Sequence, residues 1–262
     1  MPGLETLRVT FEEIAWIKAA APAVWFAAIF AAERVAAAVP AQAFSRRIVT
    51  NGAFWVLLWI VSPLIGLPLT AYAAAHPLWV REGAFASWPF WAVDFVILDC
   101  WAYWLHRACH ETPLWRLHAP HHLDEHLDST SAGRFHPGEM VFSALIRMPL
   151  IMALAIPFAH VIVFDAILFA ASIFHHSNLR LAPAFERKLS RIVVTPSIHW
   201  VHHHAIRRDT DSNYAAILSL WDRLFASRSP TTRTTGMKIG VEGLPERPLG
   251  ALLVAPFRGR LR

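Results

Sequence analysis

The chain has 262 residues, of which 55% are hydrophobic and only 16% charged, with a mean hydropathy of +0.38. Soluble domains carry about a quarter charged residues, so this balance excludes an ordinary soluble globule and points to a membrane protein built as a single domain, 1–262. The net charge of +5 is not accompanied by a basic stripe interleaved with aromatics, which argues against nucleic acid as a partner and for Arg and Lys placed beside a cytoplasmic membrane face.

In chain order, residues 1–13 carry Glu5, Arg8, Glu12 and Glu13, unlike the basic start of a signal peptide, so the first apolar run is read as a retained span. A spanning helix needs about 20 mostly apolar residues. The segments that meet this are 14–32, 52–75, 88–106 and the long run 140–176, which is expected to form a helical hairpin turning between Pro157 and His160. The expected fold is therefore an all-α integral membrane protein of four to five hydrophobic helical segments. Cys100 and Cys109 lie nine residues apart on one of these segments, about 13–14 Å on a helix, too far for a disulfide.

The first connection carries Arg34, Arg46 and Arg47, and the second only Arg81 beside Glu82. Placing the Arg-rich connection in the cytoplasm puts 106–139 and everything after 176 on that side too. The histidine-rich stretches all fall there, as a helical cap on the spans.

Of the 15 histidines, 14 lie between 106 and 204. His106 and His110 are four apart. His118, His121 and His122 repeat as His199, His202 and His203, with members at i, i+3 and i+4. On a helix each such set stays within an arc of about 100°. Thr195, Pro196 and Ser197 predict a helix start before His199 with Ser197 as its cap, and Pro120 is expected in the first turn of its helix. A single histidine is ordinarily a satisfied core or surface residue. Eight in three face-matched sets call for a metal, because imidazolium ions crowded together repel and buried neutral imidazoles need partners. Eight or nine ligands exceed one four-coordinate ion, so two metals are expected. The zinc-protease pattern His-Glu-x-x-His is absent, and no Glu is followed three places on by His as in soluble carboxylate di-iron bundles.

Several ordered stretches carry a resemblance. They run from Asp99 through Tyr103, His106, Arg107 and His110 to Glu111; from Leu114 and Trp115 to His118, His121 and His122; and from Arg134 through His136 and Pro137 to Glu139. Further on come Phe174 to Asn178 with His175 and His176, Thr195 to His203, Asp211 to Tyr214, and Leu220 to Phe225. Over about residues 45–257 the chain resembles the fatty acid hydroxylase/sterol desaturase superfamily, especially its bacterial branch. That resemblance implies an α-helical membrane fold with a cytosolic cap, in a bacterial inner membrane. It implies two Fe ions (zinc being possible in isolated protein) and O2 as cosubstrate for hydroxylation, desaturation or ether cleavage of a lipid. By motif position the implied ligands are His106, His110, His118, His121, His122, His176, His199, His202 and His203. His175 stands where a non-ligand is expected, but it adjoins a ligand and could substitute for it. His204 replaces the usual Ser, Trp200 an Arg, and Ala226 with Ser227 a Gly-Thr.

Asp99, two helical turns before His106, is read either as an acceptor orienting an imidazole or as a helix-end carboxylate at the interface. Asp211, Asn213 and Asp222 are read as orienting groups or as turn and packing residues. His136 is read first as a loop residue near the site and second as a direct ligand, and His76, His126 and His160 as ordinary core or surface residues. Arg180, Arg187, Lys188 and Arg191 suit a solvated basic loop, or contacts with lipid headgroups or a donor protein. No Gly-rich nucleotide loop and no Cys-rich cluster motif is present, so electrons must come from a separate ferredoxin, cytochrome or reductase. The competing classes are a membrane metal-binding or transport protein, whose ligands belong inside the spans, and a zinc-dependent lipid hydrolase using the same cage.

Overall fold

The computed structural model describes residues 20–42, 45–83 and 89–258. The acidic start of the chain and the first part of the run 14–32 lie outside these residues. The described part is all helix, turn and loop, with a few isolated bridges and no strand among the described residues.

Helix α1 spans Ala21–Val35, α2 Arg46–Ala75 and α3 Pro89–Glu111. Helix α5, Pro137–Leu154, and α6, Phe158–His176, form the expected hairpin. Its turn is closed by Ala155 in the left-handed region at φ 50, slightly ahead of the predicted Pro157–His160. Three helices, α2, α5 and α6, are long and apolar enough to cross a membrane. In α2 only 6% of the most apolar stretch is covered by protein, and Trp59, Ile60 and Leu64 stand exposed. Bare apolar helices of this length are stable only when lipid covers them, so the chain is an integral membrane protein.

Pro63, which has no N–H to donate, coincides with a wide π-turn over Ser62–Gly66 inside α2. That turn forms part of the wall of the cavity described below.

The cap consists of short helices. α4 is Trp115–His122, α7 Pro183–Leu189, α8 Pro196–His202, α9 Arg207–Thr210, α10 Leu220–Leu224 and α11 Leu249–Arg258. A buried ionic network fastens the cap to the spans. Arg47, at the start of α2, bonds Asp124 and Asp128, and Asn51 bonds Asp124 and Thr130. Arg134 donates to the Pro120 carbonyl at 2.8 Å and to Asn51 at 2.9 Å. Burial by itself raises the Asp124 carboxyl, but the guanidinium groups of Arg47 and Arg134 outweigh it and hold that group below the usual carboxylate range. Glu33 of α1 accepts from the backbone N–H of Ser129 and of Asn178, two residues after His176. Arg47, counted in the sequence among the charges of the first connection, is thus a buried staple, and it holds that connection on the same side as the histidines.

At the opposite end Arg81 forms a two-toothed ion pair with Asp94 and donates to the Leu154 carbonyl, while His160 also reaches Asp94 at 2.7 Å. This closes the hairpin turn against α3.

Two local expectations fail. Pro120 sits inside α4 rather than in its first turn; the helix ends two residues later, and Arg134 takes the Pro120 carbonyl that this early end leaves without a helical donor. Ser197 does not cap α8: Pro196 occupies the first turn, and the Ser197 N–H is taken by Glu186 at 3.0 Å.

Candidate metal centre

Four helices end at one point. His106 and His110 lie in the last two turns of α3, His118, His121 and His122 on α4, His176 at the end of α6, and His199 and His202 on α8 with His203 following it. Helix C-termini carry partial negative charge and favour a cation, so this convergence suits positive charge before any side chain is considered.

The nine histidines named from the sequence all meet here, in two groups. His106, His110, His118, His122 and His202 form one, and His121, His176, His199 and His203 the other; within each, one ring nitrogen per residue lies within 4.8 Å of all the rest. The i, i+4 pairs keep together (106 with 110, 118 with 122, 199 with 203). The i+3 members, His121 and His202, cross to the opposite group. Positions i+3 and i+4 diverge by about 100° on a helix, so each histidine pair, 121–122 and 202–203, straddles the two groups. The groups touch where His122 stacks on His203 with centroids 4.2 Å apart.

The chemistry of these nitrogens fits metal. In the four-histidine group the Nε2 atoms of His121 and His176 are 3.0 Å apart, those of His176 and His199 2.9 Å, and those of His199 and His203 3.1 Å. Each neutral ring offers one proton or one lone pair at Nε2, so hydrogen bonds among the four rings cannot satisfy all three contacts at once, whereas a cation between them does. In the five-histidine group His118 and His202 leave Nε2, and His110 and His122 both nitrogens, buried without a partner. A buried orphan acceptor is costly, and several facing one point suit a metal ion. Burial, reinforced by the neighbouring imidazoles, keeps His121, His122, His199, His202 and His203 far below the ordinary imidazole value, so they are neutral and ready to ligate.

The remaining nitrogens are held from behind. His106 Nδ1 lies 2.8 Å from the Tyr214 carbonyl, His202 Nδ1 2.7 Å from that of Ser212, and His176 Nδ1 2.7 Å from that of Ser172. A carbonyl can only accept, so each of these rings carries its proton on Nδ1 and turns Nε2 to the site. His118 differs, since its Nδ1 donates to the Glu139 carboxylate at 2.9 Å.

Of the orienting residues expected from the sequence, Asp211 comes closest to an imidazole, 3.6 Å from His110 Nδ1, beyond hydrogen-bond length. Asp99 orients no imidazole: its Oδ2 accepts from Trp221 Nε1 and the Leu218 N–H, pinning the 214–221 loop instead. Asn213, with φ 52, bonds Ile198 and Ser229, and Asp222 accepts from Ala215 and Ser227. These side chains shape the loop whose backbone carbonyls, at 212 and 214, do the orienting. Glu139 went unrecognised as an orienting group; its position in the His136-to-Glu139 motif was the available signal. His136 lies off the cage, capping α5 and reaching the Leu253 carbonyl at 3.0 Å. His175 is buried with its ring 4.0 Å from that of His199, yet belongs to neither group.

From the cage a cavity of about 570 Å³ runs between α2, α3, α5 and α6. His106, His118 and His176 close one end, and Leu98, Trp101, Ala102, Phe164 and Phe169 contribute to its walls.

A model of the family described as fatty acid hydroxylase matches residues 91–227. The ornithine lipid hydroxylase OlsE of Rhizobium tropici is 30% identical over 201 residues, 72% of this chain and 58% of that protein. The alkylglycerol monooxygenase of Danio rerio is 36% identical over 151 residues, 55% of this chain and 31% of that protein. The very-long-chain aldehyde decarbonylase CER1 of Arabidopsis thaliana is 25% identical over 181 residues, 65% of this chain and 28% of its own. The chain thus spans between about a quarter and three fifths of these relatives, and no solved structure matches it. The family match covers more than half of the chain and contains every histidine of both groups, and on that ground the chain belongs to the fatty acid hydroxylase family.

Proposed function

We propose that this protein is an O2-dependent di-iron lipid monooxygenase, acting on an unactivated C–H bond of a lipid with its metal centre at the cytoplasmic face of a bacterial inner membrane. The observation that carries the reading is the junction of two histidine groups with an apolar cavity walled by membrane helices. The histidines and the hydrocarbon side chains line one continuous cavity. The nine histidines named above are the ligands, and His175 is not one. Two iron ions bound there would supply activation of O2 and abstraction of hydrogen from carbon.

The chain's own part is positioning. Backbone carbonyls at 172, 212 and 214 and the Glu139 carboxylate fix the tautomers. The apolar wall aligns the lipid chain and excludes water, which converts an encounter into a held geometry. No general base is required, and electrons come from an external ferredoxin, cytochrome or reductase. The names of the relatives, an ornithine lipid hydroxylase and an alkylglycerol monooxygenase, favour a lipid with a polar head and a long chain as substrate. Whether the product is hydroxylated, desaturated or cleaved depends on where the carbon sits over the metals. Ligands gathered at helix ends weigh against a transport path, which would run through the middle of the spans, and a cavity lined mainly by hydrocarbon side chains weighs against a hydrolase.

The test is anaerobic purification, reconstitution with Fe²⁺, and addition of reductant, O2 and host lipid extract, with mass spectrometry of the lipids. The expected products are one oxygen atom heavier or two hydrogens lighter. Turnover that persists without O2 rules the reading out, and metal flux in proteoliposomes without lipid chemistry would favour transport.

A further inference from the structure

The cavity has a second polar end. Arg147 of α5 and Asp165 of α6 both line it, and Arg147 holds Asp165 through Nη1 at 2.6 Å and Nη2 at 3.2 Å. Nη2 also lies 3.5 Å from Thr70 Oγ1 on α2, so three membrane helices fix the pair. The Nε–H of Arg147 is buried without a partner. Ionisable residues inside membrane helices are costly and mark functional positions.

Counting along the helices gives the separation. Arg147 lies eight residues beyond Glu139, the partner of His118, or about 12 Å along α5. Asp165 lies eleven residues before His176, or about 16 Å along α6. The channel is therefore an apolar stretch with the histidine cage at one end and a fixed ion pair at the other. The pair sits near the middle of both α5 and α6, where a lipid headgroup would be stripped of water, so a chain enters with its methyl end toward the pair and its polar end toward the cage. Hydrocarbon gains burial up to the pair and none beyond it, because displacing the pair would expose two charges to an apolar wall.

We propose that the Arg147–Asp165 pair is the end-stop of the lipid channel and sets the length of hydrocarbon that fits beyond the oxidised carbon. This rests on the cavity being the lipid site, as proposed above, and the experiment separates the two. Brominated fatty acids of graded length are titrated into metal-free protein in detergent, and the quenching of Trp101, which lines the channel, is taken as the difference from the Trp101→Phe variant. Each further methylene that finds room strengthens binding about fourfold, so the wild type shows affinity rising with length and then breaking off.

In Arg147→Met/Asp165→Leu the break moves to longer chains. In Arg147→Gln/Asp165→Asn, which keeps a polar floor without charge, the break stays in place. An unmoved break in the apolar double variant, or a break that moves equally in both, overturns the end-stop and leaves the lipid channel standing. No Trp101-dependent quenching by any chain overturns the channel and the end-stop with it. If the apolar double variant does not fold, Ala144→Leu, one turn nearer the cage on α5 and also lining the channel, must move the break to shorter chains. An unmoved break there overturns the proposal as well.

Discussion

His118 Nδ1 and Glu139 Oε1 are 2.9 Å apart, which makes His118 the one histidine of the cage whose ring is held by a carboxylate at hydrogen-bond distance, among the described residues. The other held rings donate to backbone carbonyls. A carboxylate oxygen offers a stronger acceptor than a backbone carbonyl and fixes the tautomer and orientation of that ring. Replacing Glu139 by Leu is expected to weaken metal binding at the five-histidine group by about 10–100-fold. Glu139→Gln, which keeps an acceptor oxygen, loses less. Competition against a chelating indicator reads both, and equal loss at both groups would contradict this role.

The division of the histidines gives a stoichiometric prediction. His202→Ala removes a ring from the five-histidine group and His199→Ala one from the four-histidine group, each a ligand in the proposed centre. Each is expected to leave about one metal ion per chain where two are expected in the wild type, and to abolish turnover. His175→Ala is expected to retain both ions. Elemental analysis of the purified variants decides it, and loss of both ions from either single variant would mean that the groups do not bind independently.

The neutral cage predicts a pH dependence with a definite sign. His121, His122, His199, His202 and His203 resist protonation in the fold because they are buried among other imidazoles, while the unfolded chain takes up protons on them near pH 6.5. Below that pH the unfolded state binds more protons, so the stability of the metal-free protein falls as pH falls and levels off above it. Thermal melts of metal-free protein across this range check the direction. Melting that is flat or rises toward acid pH contradicts a neutral cage.

The buried network beneath α4 predicts a large structural effect. Arg47→Met removes the guanidinium that pairs with both Asp124 and Asp128, two buried carboxylates, and leaves Asp124 with Asn51 and Ser131 as its side-chain hydrogen-bond donors. Breaking a buried pair from one side costs about 3–5 kcal/mol. A lowered melting temperature and reduced metal content are expected together, since Asp124 follows His122 by two residues. An unchanged melt would show that this network does not hold the cap.

Gly133 offers a finer test. A methyl group there would lie 2.5 Å from Trp55 Nε1, against the face of an indole that donates to the Thr130 carbonyl at 2.8 Å. Gly133→Ala must push the indole away and break that bond, at about 1–3 kcal/mol. Denaturant melts of the variant measure it.

The apolar helix over 52–75 and the hairpin within 140–176 were legible because length and hydropathy define them without reference to neighbours, whereas 88–106, expected as a span, falls in α3, which is not among the helices long and apolar enough to cross. The shift of the turn to Ala155 and the failure of Ser197 as a cap were not legible, since each depended on a partner distant in sequence, as with the Glu186 carboxylate that takes the Ser197 N–H. Asp99, Asp211, Asn213 and Asp222 drew attention because they are side chains. The groups that do the orienting are mostly backbone carbonyls, which every residue carries and no sequence marks.

The sequence by itself determined that eight of the histidines would meet, because i, i+3 and i+4 spacing places each set on one helical arc whatever surrounds it, while His176 was marked by motif position alone. Only the tertiary structure decided how nine rings divide into five and four. Adjacent histidines such as His121 and His122 point about 100° apart, and which group each one joins depends on where α3, α6 and α8 end around α4. The same packing joined Arg147 to Asp165 across the cavity, a pairing of two helices that no spacing within either one could have announced.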